Sequence, residues 1–145
     1  MKAFFDTSVL IAAMISVHPK HNKCMPWLVK AKRKQITGIV SAHSLLECYS
    51  VLTRLPLSPK ITPQLAATLI KENIISAFSI IVSYDLDDYF GVLESLSSNG
   101  ISGRASYGAF LIATAKKEGA DKILTLNESD FIRVAPEMIK YILQP

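Results

Sequence analysis

Three carboxylates occupy positions suited to holding a cation. Asp6 directly follows the apolar run Ala3-Phe4-Phe5. Glu47 interrupts Ser44-Leu45-Leu46-Glu47-Cys48-Tyr49. Asp130 comes late in Thr125-Leu126-Asn127-Glu128-Ser129-Asp130-Phe131. A carboxylate among apolar residues is costly to bury unless it is paired or binds a cation. Hard cations such as Mg²⁺ and Mn²⁺ take oxygen ligands, and Mg²⁺ keeps several waters. An ion held this way beside a scissile phosphate lowers the pKa of a bound water and stabilises charge on the leaving oxygen. No serine or histidine nucleophile is then required. Each acid also has a plainer reading: Asp6 caps a helix, Asp130 caps a turn, and Glu47 pairs with Arg54 two turns on. The three together are harder to dismiss, because two follow strands and one breaks an apolar helix.

The elements that must position these acids can be read from punctuation and periodicity. Lys2 to Phe5 reads as a short buried strand, with Thr7 or Ser8 capping a helix through Ala13. His18-Pro19 breaks that helix, and a second runs from about Lys20 to Lys34, kinked or started by Pro26. Gln35 to Val40 reads as a strand and Ser41 to Leu55 as a helix stopped by Pro56. Thr62-Pro63 opens a helix to about Ile74. Phe78 to Val82 is a third strand. Asp85 to Ser97 is a helix closed by Asn99-Gly100, and Ser102 to Glu118 is a helix ending at Gly119. Lys122 to Leu126 is a fourth strand, and Met138 to Leu143 contains a short fifth. This alternation predicts an α/β domain, helices covering both faces of a mainly parallel sheet. The active crevice of such a sheet lies at the carboxyl ends of its strands, where Asp6 and Asp130 are expected.

The chain has 145 residues, half of them hydrophobic. That fits one domain, residues 1–145, with its own core. Cys24 and Cys48 are too few for a disulfide framework and are expected as reduced packing residues of a cytoplasmic protein. No signal peptide is apparent, and no apolar run reaches the roughly 20 residues of a membrane span. The formal net charge is +4, which suits a phosphate-rich partner. The run Lys30, Lys32, Arg33, Lys34 suits one too, although a solvated helix face explains it as readily.

At the three acids the sequence resembles the PIN-domain family, in particular its VapC-type toxins. The matching pieces are Phe5-Asp6-Thr7-Ser8-Val9-Leu10-Ile11, Ser44-Leu45-Leu46-Glu47 and Leu124-Thr125-Leu126-Asn127-Glu128-Ser129-Asp130-Phe131. The resemblance implies a three-layer α/β/α domain and an acidic pocket binding Mg²⁺ or Mn²⁺. It implies endonucleolytic cleavage of structured RNA such as tRNA or rRNA, a homodimer, and a cognate antitoxin that inserts a segment near the pocket. By carry-over, Asp6, Glu47 and Asp130 are the acidic residues, with Asp6 and Asp130 as metal ligands, and Ser8, Thr125 and Asn127 support them. Arg104 is a candidate phosphate contact, with a structural ion pair as its alternative.

One position departs from the family. Where the family usually has aspartate, in a Tyr-Asp-Ala pattern, this chain has Tyr107-Gly108-Ala109. A mid-helix glycine costs about 0.5–1 kcal/mol relative to alanine, and no turn is called for there. Three explanations stand: an inactivating substitution, a natural loss with binding retained, or a different acid in the role. The functions left open are a metal-dependent RNA endonuclease and a catalytically dead PIN-like module that binds RNA or antitoxin. A phosphotransfer receiver or serine hydrolase is disfavoured, since neither paired acids after the first strand nor a Gly-x-Ser-x-Gly elbow is present. His18, His21 and Cys24 mimic a zinc trio but lack a fourth ligand. Tyr49, Tyr107 and Tyr141 are either base-stacking or core residues.

Overall fold

The computed structural model describes residues 1–145. It comprises β1 (Lys2–Phe5), α1 (Thr7–Met14), α2 (His21–Lys32), β2 (Thr37–Ser41), α3 (Ala42–Arg54), α4 (Pro63–Ile70), β3 (Ile80–Val82), α5 (Leu86–Ser98), α6 (Ala105–Lys117), β4 (Lys122–Leu124), α7 (Glu128–Val134) and β5 (Ile142–Leu143). α4 continues into a π-helical turn at Lys71–Ile75, and a 3₁₀ turn at Pro136–Met138 precedes β5. The strands form one parallel sheet in the order β3-β2-β1-β4-β5. β1 is therefore central, and the chain leaves it first toward β2 and later returns beside it as β4.

Alternation along the strands divides the core in two. Phe5, Val40 and Leu124 face a cluster built with α1, α2, α3 and α4. Phe4, Ile39 and Ile123 face a second cluster built with α6, α7 and β5. This is the predicted three-layer α/β/α arrangement: strands buried on both sides read as continuous apolar runs. α1 is buried nearly all round, which suits its sequence Thr-Ser-Val-Leu-Ile-Ala-Ala-Met. α5 is the opposite. It has a capping box between Asp85 and Asp88 but no fully buried residue, and Leu86, Tyr89, Phe90 and Leu93 are exposed on it. No helix is long and apolar enough to cross a membrane.

Several expected boundaries move. α1 is entered at Asp6, which adopts the extended N-cap backbone, not at Thr7 or Ser8. Their side chains bond elsewhere. α1 ends before His18, and of the two readings of Pro26 the structure keeps the one inside α2. β4 stops at Leu124, and α7 occupies a stretch read from sequence only for its acids. Ser41 and Thr62 cap their helices as expected, accepting from the backbone N–H of His43 and Leu65.

Gly38 on β2 has the least room for a side chain of any glycine in the chain. A Cβ there would lie 2.9 Å from Phe78 Cδ1 and 3.0 Å from Ala31 Cβ. Phe78 is itself held edge-on against Phe5, ring centroids 4.8 Å apart. Gly38→Ala is expected to lower stability by about 1–3 kcal/mol through overpacking. Urea unfolding reads this, and an unchanged midpoint would mean the layer yields freely.

Candidate active site

The carboxyl ends of β1 and β4 meet side by side, so Asp6 and Thr125 are neighbours despite a sequence separation of 119. The Asp6 backbone N–H donates to Leu124 O at 2.9 Å. Thr125 Oγ1 donates to Asp6 Oδ2 at 2.8 Å, and Ser8 Oγ donates to the same oxygen. Ser8 Oγ in turn accepts from the Leu126 N–H, and Thr125 Oγ1 accepts from the Asn127 N–H, both at 3.0 Å. Asp6, Ser8, Thr125 and Asn127 thus form one network, with both hydroxyl bonds on one carboxylate oxygen.

Glu47 reaches the site from α3. Thr7 Oγ1 donates to Glu47 Oε2 at 2.6 Å, and His43 Nε2 lies 3.4 Å from Glu47 Oε1. The expected alternative partner, Arg54, instead donates to Ser50 O. His43, one helical turn before Glu47, competes better than a residue two turns away.

Asp6 and Glu47 line a cavity of about 890 Å³, together with Ser8, Asn127, Arg104, Gly108 and Asp130. Of the acids, their supporting residues and Arg104, only Thr125 does not reach that wall, and it bonds Asp6 from behind. Asp130 is the least integrated. It lies in the first turn of α7, with its side chain 67% exposed and 3.5 Å from Arg133. It belongs to the pocket rim, not to the Asp6 network. The first atom of a side chain at 108 would have room. Apart from its own helix backbone, a Cβ at Gly108 would meet only Val134 Cγ2, at 3.8 Å.

Sequence reasoning missed His18, Arg54 and Arg133 on the same wall. Arg133 had a local signal in its spacing of three from Asp130 on one helix. Arg54 had been read only as a partner for Glu47. The His18, His21, Cys24 trio is dispersed: Cys24 is buried, His21 Nδ1 bonds Ala12 O, and His18 Nδ1 accepts from the Lys20 N–H. No group of three His, Cys, Asp or Glu side chains lies close enough together to hold a metal ion.

Burial is the largest influence on Asp6 and raises its pKa above 3.8. Ser8 and Thr125 oppose this, and the Glu47 carboxylate adds to it. Cys48, beside both acids, is pushed up to about 12, first by burial and then by the two carboxylates. It is a neutral packing thiol, not a nucleophile.

The Asp6 shift has a sign that can be measured. Between 3.8 and its raised folded value, the folded protein binds this proton more tightly than the unfolded chain does. Stability from this group therefore falls as pH rises through that window. In EDTA, the melting temperature of Asp6→Asn relative to the parent is expected to climb across it. Asp88 and Glu137, lowered by hydrogen bonds from Lys117 and Lys116, slope the other way in both proteins and cancel in the difference. A pH-independent difference would contradict the burial argument.

The donor set suits a hard cation. It is all oxygen: the Asp6 carboxylate is buried and has no basic side chain against it, and the partly exposed Glu47 carboxylate has only the imidazole of His43. Mg²⁺ is commonly bound through one or two carboxylates, with substrate phosphate and water completing its shell.

A family comparison matches residues 3–136 to the PIN domain. The chain is 34% identical to the Mycobacterium tuberculosis protein called Ribonuclease VapC40 over 120 residues, covering 83% of this chain and 82% of that one. It is 29% identical to Ribonuclease VapC27 of the same species over 116 residues, covering 80% and 78%. Its fold is similar to the crystal structure of M. tuberculosis VapC20, described as a sarcin-ricin loop cleaving toxin, with a TM-score of 0.61. The sequence identity there is 18%, and 83% of this chain and 86% of that one are covered.

Proposed function

This chain belongs to the PIN-domain family, among its VapC-type ribonucleases, and on that premise we propose that it is a cation-dependent RNA endonuclease, the toxin of a toxin–antitoxin pair, weakened by glycine at position 108. The observation that carries this reading is the single pocket in which Asp6, Glu47, Asp130 and the vacant side-chain space at Gly108 face three arginines.

Asp6 and Glu47 would hold Mg²⁺ or Mn²⁺, with Asp130 within the same pocket as a further acid. A bound cation supplies an activated water and stabilises charge on the phosphate. The protein's own groups do the rest. Ser8 and Thr125 fix the Asp6 carboxylate through Oδ2. Thr7 and His43 fix Glu47. Arg54, Arg104 and Arg133 attract the RNA backbone and hold a phosphate against the acids, since guanidinium forks match phosphate oxygens. The same pocket is wide enough to admit a segment of the cognate antitoxin, which would then exclude RNA. Structured RNA such as tRNA or rRNA, in the cytoplasm, is the proposed substrate.

The exposed apolar residues of α5 support a homodimer, since a contiguous apolar face of this kind is usually covered. Light scattering is expected to give twice the chain mass, and a monomer at micromolar concentration would remove this part of the proposal.

The test of the activity is incubation with a pooled tRNA and rRNA substrate. Slow cleavage is expected with Mn²⁺ or Mg²⁺ and none in EDTA. Cleavage indifferent to EDTA would overturn the assignment. Gly108 favours a second reading, a binding module without turnover. It predicts RNA or antitoxin binding with no cleavage under any cation.

A further inference from the structure

From Thr7 to Leu46 the chain contains no Asp or Glu, yet it carries six basic residues, Lys20, Lys23, Lys30, Lys32, Arg33 and Lys34. None of the six takes part in an ion pair. Lys32 and Lys34 are turned to one side, donating to Asn73 Oδ1 at 2.6 Å and Ala77 O at 2.7 Å. Lys20, Lys23 and Lys30 are not engaged in this way. With Trp27 they follow the spacing i, i+3, i+7 and i+10, which puts them on one side of α2. The buried residues Cys24, Leu28 and Ala31 form the adjacent stripe. Lys30 Nζ lies over the Trp27 ring, 4.7 Å from its centroid.

The stripe starts at the pocket. His18 lines the cavity, and the Lys20 N–H donates to His18 Nδ1 at 3.1 Å. From Lys20 to Lys30 a helix advances about 15 Å. A nucleic-acid strand in a duplex places a phosphate roughly every 3.4 Å along its axis, so this length runs beside about four. A solvated surface normally mixes charges of both signs. Like charges three or four residues apart on a helix are mildly destabilising without a counter-charge. A row of one sign, from a segment without acids and beginning beside the pocket that His18 lines, calls for an anionic partner.

We propose that the Lys20, Lys23, Trp27, Lys30 stripe of α2 is a second RNA-binding surface that grips the phosphate backbone several nucleotides from the scissile bond. This rests on the ribonuclease reading and adds to it the selection of structured over short substrates. A trinucleotide fills the pocket alone, whereas a hairpin reaches the stripe.

The test measures binding in EDTA, by fluorescence anisotropy across a KCl series, of a labelled hairpin RNA and a labelled trinucleotide. The parent chain is compared with Lys23→Gln/Lys30→Gln, whose fold is checked by its melting temperature. The double variant is expected to bind the hairpin about 10-fold more weakly at low salt. The slope of log affinity against log salt should become shallower by about 1.5–2. Trinucleotide binding should be unchanged. An unchanged hairpin affinity and slope, with the parent binding both RNAs, overturns the stripe and leaves the nuclease reading standing. Binding of a poly-glutamate peptide that is lost in the double variant, with RNA unaffected, makes the stripe a protein-docking surface and also overturns it. If the parent binds neither RNA, the stripe and the ribonuclease reading fall together.

Discussion

Gly108→Asp is expected to raise cation-dependent RNA cleavage by about 100-fold or more, the upper end of what supporting residues around a metal contribute, since this change supplies a carboxylate directly to the pocket. The reasoning is geometric. Gly108 lines the cavity that Asp6, Glu47 and Asp130 also line. Outside its own helix backbone, a Cβ there meets nothing closer than Val134 Cγ2, at 3.8 Å. α6 continues through the position as regular helix. The new carboxylate should also enlarge the stabilisation that cations give. In EDTA it adds a negative charge near Asp6, whose pKa is already raised by burial and by Glu47, so the variant melts lower. With Mn²⁺ present it binds the ion more tightly than the parent, and binding to the folded state stabilises it. Gly108→Ala is the control. It should gain about 0.5–1 kcal/mol from helix propensity with no gain in cleavage. If Gly108→Asp neither cuts faster nor widens the Mn²⁺-induced melting shift, position 108 is not part of the site.

The second large effect is loss. Introducing Asp6→Ala into the Gly108→Asp protein is expected to cut activity by at least about 100-fold, because Asp6 is the carboxylate most firmly held by surrounding groups. The fold should persist. The substitution removes an acid that burial already penalises and leaves the Ser8 and Thr125 hydroxyls without their acceptor. These effects oppose each other, each on the order of 1–3 kcal/mol. Circular dichroism should therefore be near that of the parent while cleavage disappears. Cleavage that survives in a folded Asp6→Ala protein would move the chemistry away from this pocket.

The parts of this site that sequence revealed are those with local causes. Asp6 could be placed because it directly follows a strand that ends in three apolar residues, and the sheet rule puts such a residue at the crevice. Ser41 and Pro56 framed the helix that carries Glu47 to within a residue or so. What could not be read were contacts between distant segments and rotations about helix axes. Thr7, 40 residues before Glu47, looked like a helix cap, but its hydroxyl serves the glutamate. Asp130 looked like a partner for Asp6. The turn from β4 into α7, a helix absent from the periodicity reading, swings it outward beside Arg133. The arginines of the rim come from three separate elements, and no pattern along the chain links them. Gly108 is the exception: its odd helix propensity was visible in the sequence, and the space beside it was not.

The central position of β1 has a consequence for the order in which the molecule becomes competent. Asp6 leaves the ribosome well before its support from Thr125, which arrives 119 residues later. Chains emerge N-terminus first, and pairings between remote segments close slowly. A nascent or prematurely ended chain can hold β1 beside β2, but without β4 it lacks the Asp6 network, Arg133 and Asp130. The cutting pocket proposed here therefore cannot form on a chain that stops before β4, and a translation product arrested there would not cut RNA.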